Sequence, residues 1–477
     1  MSQAVRIRWN TLFIFLSTFI RLSTNFLLFV GIARIYGPET FGQFTTAHTL
    51  ATIFILFADF GFDSLLVTEI SRQREKAGEI AGRYFSFKLL FASAAAIVML
   101  FVPIFQQSSE ATKIFIWIFS SYVFFSVINT FFFALFKGFE QLYHETKISF
   151  IINLLLLGGL ILAQYAHMPA YGIAVMFVAS RILGVLLALR FMVGKLQIQS
   201  FHLTFKGGRE TLRRVLVFGL QFIFGNLFFT LDTILLSSWR GDHEVGIYQS
   251  VFKLAVLALM IPDILINTML PVLARLHNEE KSQWDKIGYL LNKTLFLSSL
   301  PIVAVLFVYA DQVIGIVYGA DAFMEAVPIL RIFSIIVFIR FSVEASALMI
   351  TTSFHQSRRL VIVVGGTEVN CLLNYYMIPR YGIWGAAAIS LVTNAIVGIA
   401  YLVVSGAFWR RWFTDLRSII PLGIMGCLSI VLWQIRTISI FYTVPFVIAL
   451  YAFVFYYIGY SKGERTLLFA RARILGQ

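Results

Sequence analysis

The chain has 477 residues, of which 59% are hydrophobic and only 13% are charged, and its mean hydropathy is +0.83. A soluble globular protein is about 45–50% apolar and about 25% charged, so this composition excludes a water-soluble fold and indicates a polytopic membrane protein. The formal net charge is +14, but Lys and Arg also collect in cytoplasmic loops, so we expect no nucleic-acid partner. Cys371 and Cys427 both lie in apolar runs and indicate neither a disulfide framework nor a metal site.

Apolar runs predict the membrane-spanning elements. A bilayer core requires roughly 20 apolar residues per helix, and backbone inside hydrocarbon must satisfy its own hydrogen bonds. We therefore expect an all-α fold with about fourteen transmembrane helices. The predicted spans are residues 10–33, 41–68, 84–105, 112–136, 148–166, 170–190, 214–238, 245–272, 287–310, 324–352, 360–379, 383–408, 418–435 and 438–460.

The distribution of basic residues predicts the orientation in the membrane. Lys and Arg are far more numerous in one set of alternate loops than in the other. Because positively charged loops stay in the cytoplasm, we expect both termini to be cytoplasmic. The longest loops, 191–213 and 273–286, belong to the same cytoplasmic set, and the external loops are short.

A short loop occurs twice in the chain. Gly37 and Gly42 recur as Gly241 and Gly246, each 204 positions later, and Asp59 recurs as Asp263 at the same offset. Because six spans separate the two copies, we expect two six-helix halves in the same orientation, related by a pseudo-two-fold axis along the membrane normal. The predicted organisation is a first lobe (1–190), a cytoplasmic linker (191–213), a second lobe (214–408) and two additional helices with a cytoplasmic tail (409–477).

Four stretches resemble one family. They are GPETFGQF (37–44), ADFGFDSLLVTEISR (58–72), VYGADAFMEAVPIL (317–330) and IPRYGIWGAA (378–387). Their order and spacing resemble polysaccharide flippases of the Wzx type, which belong to the multidrug/oligosaccharidyl-lipid/polysaccharide (MOP) exporter superfamily. The resemblance covers nearly the whole chain.

The resemblance implies a multi-pass protein of the bacterial inner membrane. It implies movement of undecaprenyl-pyrophosphate-linked oligosaccharide from the cytoplasmic to the periplasmic leaflet by alternating access, for O-antigen, capsule or exopolysaccharide synthesis. The implied partners are the lipid-linked oligosaccharide, membrane lipid, and the polysaccharide polymerase and glycosyltransferases of the same pathway. No cofactor is expected, although H⁺ or Na⁺ could be the coupling ion.

Basic residues inside the spans are candidates for binding an anionic substrate. A charge at the centre of a membrane helix costs about 2.5–3.5 kcal/mol, so it usually faces protein or a wet cavity. The lumen candidates are Arg21, Asn25, Lys253, Arg331 and Arg340. Arg21 and Asn25 share one helical face, with Asp59 as an alternative, structural partner for Arg21. Arg331 and Arg340 fall on nearly opposite faces of one span.

Acidic residues inside the spans are candidates for ion coupling or for structural pairing. They are Asp59, Asp232, Asp263, Glu344 and Glu368. Glu344 can pair with Arg340 one turn away, and Glu368 is interpreted, with the nearby Asn370 and Asn374, as holding helices together.

Two lysines lie one to two turns from the cytoplasmic ends of their spans. For Lys88 and Lys293 we expect side chains that extend to the membrane surface, or alternatively a basic entrance for a lipid headgroup.

Three functions are compatible with this pattern. A basic lumen between the two halves favours a flippase for a glycan carried on a pyrophosphate, which is too polar to cross hydrocarbon alone. A membrane polysaccharide polymerase or glycosyltransferase would need a large external loop or clustered catalytic acids, and neither is evident, so we do not expect an enzyme. A multidrug-type exporter of small cations would need an acidic cavity, whereas the embedded charges are mainly basic.

Overall fold

The structure is a computed structural model. It describes residues 3–106, 108–192, 202–205, 208, 211–212, 215, 227, 230–319, 321–353, 356–406 and 415–466, with side chains from residue 20 onward except at Leu416. Every regular secondary-structure element in this part of the chain is a helix, which confirms the all-α prediction.

The helices follow one another with short connections. They are α1 (Gln3–Asp59), α2 (Phe62–Arg72), α3 (Ala77–Phe105), α4 (Glu110–Gly138), α5 (Leu142–Tyr165), α6 (Ala170–Phe191), α7 (Leu231–Trp239), α8 (Asp242–Glu279), α9 (Lys281–Val308), α10 (Ala310–Tyr318), α11 (Ala326–Thr352), α12 (Gln356–Ser405), α13 (Leu416–Gln434) and α14 (Ile440–Val454). A 3₁₀ turn at Arg74–Lys76 precedes α3, and a π-helical turn at Phe455–Gly459 follows α14.

Two of these helices are bent at a glycine. The φ angle of Gly37 in α1 is 78°, in the left-handed region, and Pro38 follows it. The φ angle of Gly382 in α12 is 53°, three residues after Pro379. Glycine tolerates a positive φ and proline lacks the amide hydrogen that continues a helix, so the chain turns at both places. Each bent helix therefore covers two predicted spans.

Eleven helices in the described part of the chain are long and apolar enough to cross a membrane. The seventh predicted span, 214–238, lies mostly outside the described residues, which include α7 at its end. The prediction of a polytopic helical protein is confirmed. The total of fourteen spans and the pseudo-two-fold axis stay predictions.

The chain forms two compact units, unit 1 (Met1–Gln249) and unit 2 (Ser250–Gln477). In unit 1, α1 packs against α3, α4, α5 and α7, and α6 packs on α4 and α5. In unit 2, α11 packs between α9 and α12, and α13 packs on α9. The boundary lies inside α8 because the loop that begins this helix contacts α1. The lobe boundaries at 190, 213 and 408 follow the repeat and stay predictions.

Candidate functional site

The repeated loop meets its own copy within unit 1. A Cβ atom on Gly42 would collide with the carbonyl oxygen of Asp242, and a Cβ atom on Gly246 would collide with the carbonyl oxygen of Pro38. Asp242 follows Pro38 by 204 positions, and Gly246 follows Gly42 by the same 204 positions. The two contacts are therefore reciprocal, as they are between surfaces related by a two-fold axis. Only glycine allows the two backbones to approach so closely.

The second copy of the loop is fastened to α4 by a side chain that begins α8. The carboxylate of Asp242 accepts hydrogen bonds from Ser109 Oγ (2.5 Å) and from Thr112 Oγ1 (2.9 Å). Ser109 is also the N-cap of α4. The preceding Gly241 has a φ angle of 87°, in the same left-handed region as Gly37. The sequence repeat thus corresponds to a repeated backbone turn.

Arg21 and Asn25 both lie exposed, one turn apart on α1. This arrangement agrees with the predicted polar stripe, although the side chain of Ser17, its other end, lies outside the described residues. The Arg21 charge acts on Glu145, in the first turn of α5, and Glu145 is itself 3.2 Å from the ammonium of Lys137. Asp59, the acid named as an alternative structural partner for Arg21, pairs with a different cation, and the role of Arg21 stays a prediction.

That cation is Lys88, which is fully buried in α3. Its Nζ lies 2.5 Å from Asp59 Oδ1 and 2.7 Å from Asp63 Oδ1. Asp59 ends α1 and Asp63 lies in the first turn of α2, so three helices meet at one ammonium. We call these three side chains the first lysine cluster.

A second lysine cluster lies in unit 2. Lys293 of α9 is also fully buried, and its Nζ lies 2.7 Å from Asp415 Oδ2 and 3.3 Å from Glu464 Oε2. Asp415 is the N-cap of α13, and Glu464 follows α14. Burial alone would raise the pKa of Asp415, but hydrogen bonds from Lys293 and Tyr289 outweigh burial and hold that pKa below its ordinary value.

The lysine clusters correct one prediction. We expected Lys88 and Lys293 to extend to the membrane surface, but both side chains are completely buried. That interpretation was wrong because acids close in space make burial of the ammonium possible. Their alternative role as a basic entrance stays a prediction. The sequence held an overlooked signal: Tyr84 and Lys88 recur as Tyr289 and Lys293, both 205 positions later.

The structure brings three of the predicted site residues together in unit 2. Asp263 of α8 is exposed, and the charges of Glu344 and Arg340 both act on it. The same two charges and that of Arg359 act on the buried Tyr401, which Arg359 also contacts by a hydrogen bond. We call these five side chains the mixed-charge cluster. Because it combines two acids with two arginines, Arg340 does not add an uncompensated positive charge.

Arg331 lies apart from the mixed-charge cluster. Its guanidinium lies over the ring of Trp433 in α13, 4.9 Å from the ring centroid, and its Nε donates to the carbonyl of Phe307 (3.3 Å). It thus faces one of the two helices that follow the repeat, so we leave it out of the candidate site. Lys253 is half-buried on α8, and its role as a lumen cation stays a prediction.

The remaining candidates lie in three different environments. Asp232 is buried in α7 and accepts a hydrogen bond from Tyr248 Oη (2.6 Å), which agrees with its structural interpretation. Glu368 is exposed on α12, and its role in holding helices together stays a prediction. Asn370 joins the two parts of α12: it receives a hydrogen bond from Asn374 (3.1 Å), and its Nδ2 donates to Thr393, beyond the bend.

Residues 7–277, more than half of the chain, match the family described as polysaccharide biosynthesis protein, and the chain belongs to that family. No curated protein sequence matches the chain.

Solved structures show the fold. The lipid II flippase MurJ in an inward closed conformation has a TM-score of 0.74 at 14% identity, covering 97% of this chain and 99% of its own. An inward-facing multidrug resistance MATE family transporter of the MOP superfamily has a TM-score of 0.67 at 16% identity, covering 81% and 97%. A MOP superfamily transporter from Pyrococcus furiosus has a TM-score of 0.59 at 16% identity, covering 84% and 96%. The chain therefore has the fold of MOP-superfamily transporters.

Proposed function

We propose that this protein is a flippase that moves undecaprenyl-pyrophosphate-linked oligosaccharide from the cytoplasmic to the periplasmic leaflet of the bacterial inner membrane. The family match supports a role in polysaccharide biosynthesis. The similarity to MurJ along nearly the whole chain supports a lipid-linked substrate. Transport by alternating access requires no nucleophile and no metal.

The observation that carries the proposal is the exposed guanidinium of Arg21 within a predicted membrane span. An arginine inside a membrane helix is costly unless it faces protein or water. Its planar group also presents paired donors that fit phosphate oxygens. Asn25, one turn away, adds a donor and an acceptor for sugar hydroxyls. Lys88 and Lys293 are fully buried beside acids, whereas Arg21 is exposed, so Arg21 is the more accessible group for a pyrophosphate.

The test is replacement of Arg21 in a strain that depends on this protein for surface polysaccharide. We expect Arg21→Ala to abolish surface polysaccharide and to cause lipid-linked oligosaccharide to accumulate, while the protein remains in the membrane at normal amount. Arg21→Lys should retain part of the activity because it keeps the charge but loses the planar donor pair.

Arg181→Ala is the matched control for loss of an embedded arginine in unit 1. Arg181 donates to Tyr122 Oη (3.0 Å) and joins α6 to α4, so it holds helices together. We expect Arg181→Ala to lower the amount of folded protein, with surface polysaccharide falling only in proportion. Normal surface polysaccharide in the Arg21→Ala strain would refute the proposal.

A further inference from the structure

Two arginines in unit 2 lie against the same tryptophan. The guanidinium carbon of Arg331 is 4.9 Å from the centroid of the Trp433 ring, and that of Arg436 is 4.5 Å from it. Arg331 lies near the start of α11, Trp433 in the last turn of α13, and Arg436 just after α13. None of the three side chains is buried. Two positive charges therefore approach one accessible ring, although like charges repel each other.

The charges of these two arginines are not balanced by an acid in the described part of the chain. Neither arginine forms an ion pair there, and Asp311, in the first turn of α10, pairs with neither of them. Arg331 donates one hydrogen bond, to the carbonyl of Phe307. Arg340 of the same helix, by contrast, lies near the acids of the mixed-charge cluster. A guanidinium presents paired donors that match phosphate oxygens, so the two arginines suit a phosphate from outside the chain.

An apolar groove lies beside these arginines in unit 2. Its volume is about 330 Å³, and its walls come from the end of α9, from α10 and from the start of α14, including Val305, Ile316 and Val444. Sites for small ligands have volumes of roughly 300–1,000 Å³. The described side chains that line the groove are all Val, Ile, Phe or Pro, so it suits a hydrocarbon chain and not a sugar.

Gln312 of α10 connects the groove to the turn that carries Arg436. Its Nε2 donates to the carbonyl oxygens of Arg436 (2.6 Å) and Ile438 (3.1 Å), and its Oε1 accepts from the backbone amide of Ile440 (2.7 Å). Val313, the next residue of α10, and Ile440 both line the groove. One end of the groove is therefore fixed against the turn after α13.

We propose that this part of unit 2 binds one anionic phospholipid, with its phosphate at Arg331 and Arg436 and one acyl chain in the groove. The distribution of basic residues predicts that this end of the helices faces the outside, and Trp is enriched where a membrane meets water. Bilayer hydrocarbon is as apolar as the groove, so the chain gains packing but little hydrophobic free energy. The charge of the headgroup therefore decides which lipid binds.

A phospholipid fits this site better than the lipid-linked oligosaccharide of the proposed function. Parallel repeats place a substrate between their halves, whereas Trp433 and Arg436 belong to the two helices after the repeat and the turn between them. Binding of the phospholipid does not depend on the proposed flippase function.

Native mass spectrometry of the purified protein measures lipid binding directly. The wild-type protein should retain one phosphatidylglycerol at a lipid concentration about tenfold lower than it needs for phosphatidylcholine, because hydrogen bonds to charged groups contribute about that factor. Arg331→Gln combined with Arg436→Gln should abolish the preference. Equal retention of the two lipids by the wild-type protein, or a preference that survives in this double variant, would overturn the proposal.

The matched control removes two other arginines at the predicted external surface. Arg240 pairs with Glu244, and Arg380 donates to the carbonyl of Tyr376. Arg240→Gln combined with Arg380→Gln changes the net charge by the same amount and should keep the preference for phosphatidylglycerol. Loss of the preference in this control would show that only the overall charge of the protein matters, and the proposal would fail.

A third variant tests the groove with both arginines intact. Val444→Trp fills the groove and should lose the tightly retained lipid, whereas Val403→Trp, the same change at an exposed position on α12, should retain it. Unchanged retention in Val444→Trp protein would contradict a chain in the groove. Displacement of the lipid by inorganic phosphate would show an anion site without a chain and would also overturn the proposal.

The melting temperature separates lost binding from a damaged fold. A ligand that binds only the folded state raises the melting temperature. The wild-type protein should therefore melt at a higher temperature in phosphatidylglycerol nanodiscs than in phosphatidylcholine nanodiscs, and the Arg331 and Arg436 double variant should melt at one temperature in both. A double variant that still melts higher in phosphatidylglycerol would contradict the site. If the wild-type protein retains an undecaprenyl-pyrophosphate lipid there in preference to phosphatidylglycerol, the proposal fails but the proposed flippase function does not.

Discussion

The two lysine clusters occupy equivalent positions in the repeat, yet their acids come from different parts of the chain. Lys88 and Lys293 stand 205 positions apart and are both fully buried. The first lysine cluster uses Asp59 and Asp63, which lie late in the second predicted span of its own half. The second uses Asp415 and Glu464, from the segments that begin and end the pair of helices after the repeat.

This difference shows how the two additional helices are attached to the repeat. A buried ammonium must be paired, whichever element supplies the acids. In unit 2 the additional helices supply both of them, while Asp263, the counterpart of Asp59, lies exposed in the mixed-charge cluster. The repeated lysine position thus pairs with acids of its own half in unit 1. In unit 2 it pairs with acids from the segments that begin and end the α13–α14 pair.

The largest effect should come from removing the lysines. Lys88→Met leaves two carboxylates facing one another without a cation, and breaking a buried ion pair from one side costs about 3–5 kcal/mol. We expect a smaller loss in Lys293→Met, because Asp415 and Glu464 retain hydrogen bonds from other donors. Thermal unfolding of the detergent-solubilised proteins measures both.

The control for the two lysine variants is a protein in which all three charges of the first lysine cluster are removed. Lys88→Met combined with Asp59→Asn and Asp63→Asn leaves no unpaired charge and should recover much of the stability that Lys88→Met loses. Equal melting temperatures for Lys88→Met and the wild-type protein would show that the ion pairs contribute nothing.

The sequence predicted the spans and the repeated loop well because both are local patterns. Apolar runs determine helices one by one, and the glycines at 37 and 241 require the same backbone turn. The partners of the lysines could not be predicted in the same way. Lys293 meets Asp415 and Glu464 across 122 and 171 positions of the chain. No periodicity within one helix contains that information.

The position of a charged residue within its predicted span also did not predict which side chains surround it. Arg331 and Arg340 belong to the same span, and the helical period correctly separated their faces. Only the packing of α13 within unit 2 shows that Arg331 meets Trp433, whereas Arg340 lies near the acids of the mixed-charge cluster. The embedded positive charge is therefore much more compensated than the number of lysines and arginines suggested.

A smaller effect should follow from loosening the end of the chain. Glu464→Gln weakens the contact of the segment after α14 with Lys293, which keeps its closer partner Asp415 at 2.7 Å. We expect faster cleavage by protease near residues 460–466, with little change in the melting temperature of the whole protein. Asp63→Asn is the control, since it alters the other cluster and should leave this cleavage rate unchanged. A cleavage rate equal to that of the wild-type protein would mean that Lys293 does not hold the end of the chain.

The smallest expected effect is the pH dependence of the stability that Asp415 contributes in the second lysine cluster. Asp415 lies outside the predicted spans, and its pKa in the folded protein is held below the ordinary value of about 3.9. Its contribution to stability is therefore fully present above that ordinary value and is lost as the pH falls through the lower, folded-state pKa. The wild-type protein should melt at a higher temperature than Asp415→Asn at neutral pH, and the two melting curves should converge in acid. Parallel curves would show that the ionised form of Asp415 does not help to dock the two additional helices. The second cluster would then differ from the first only in where its acids come from.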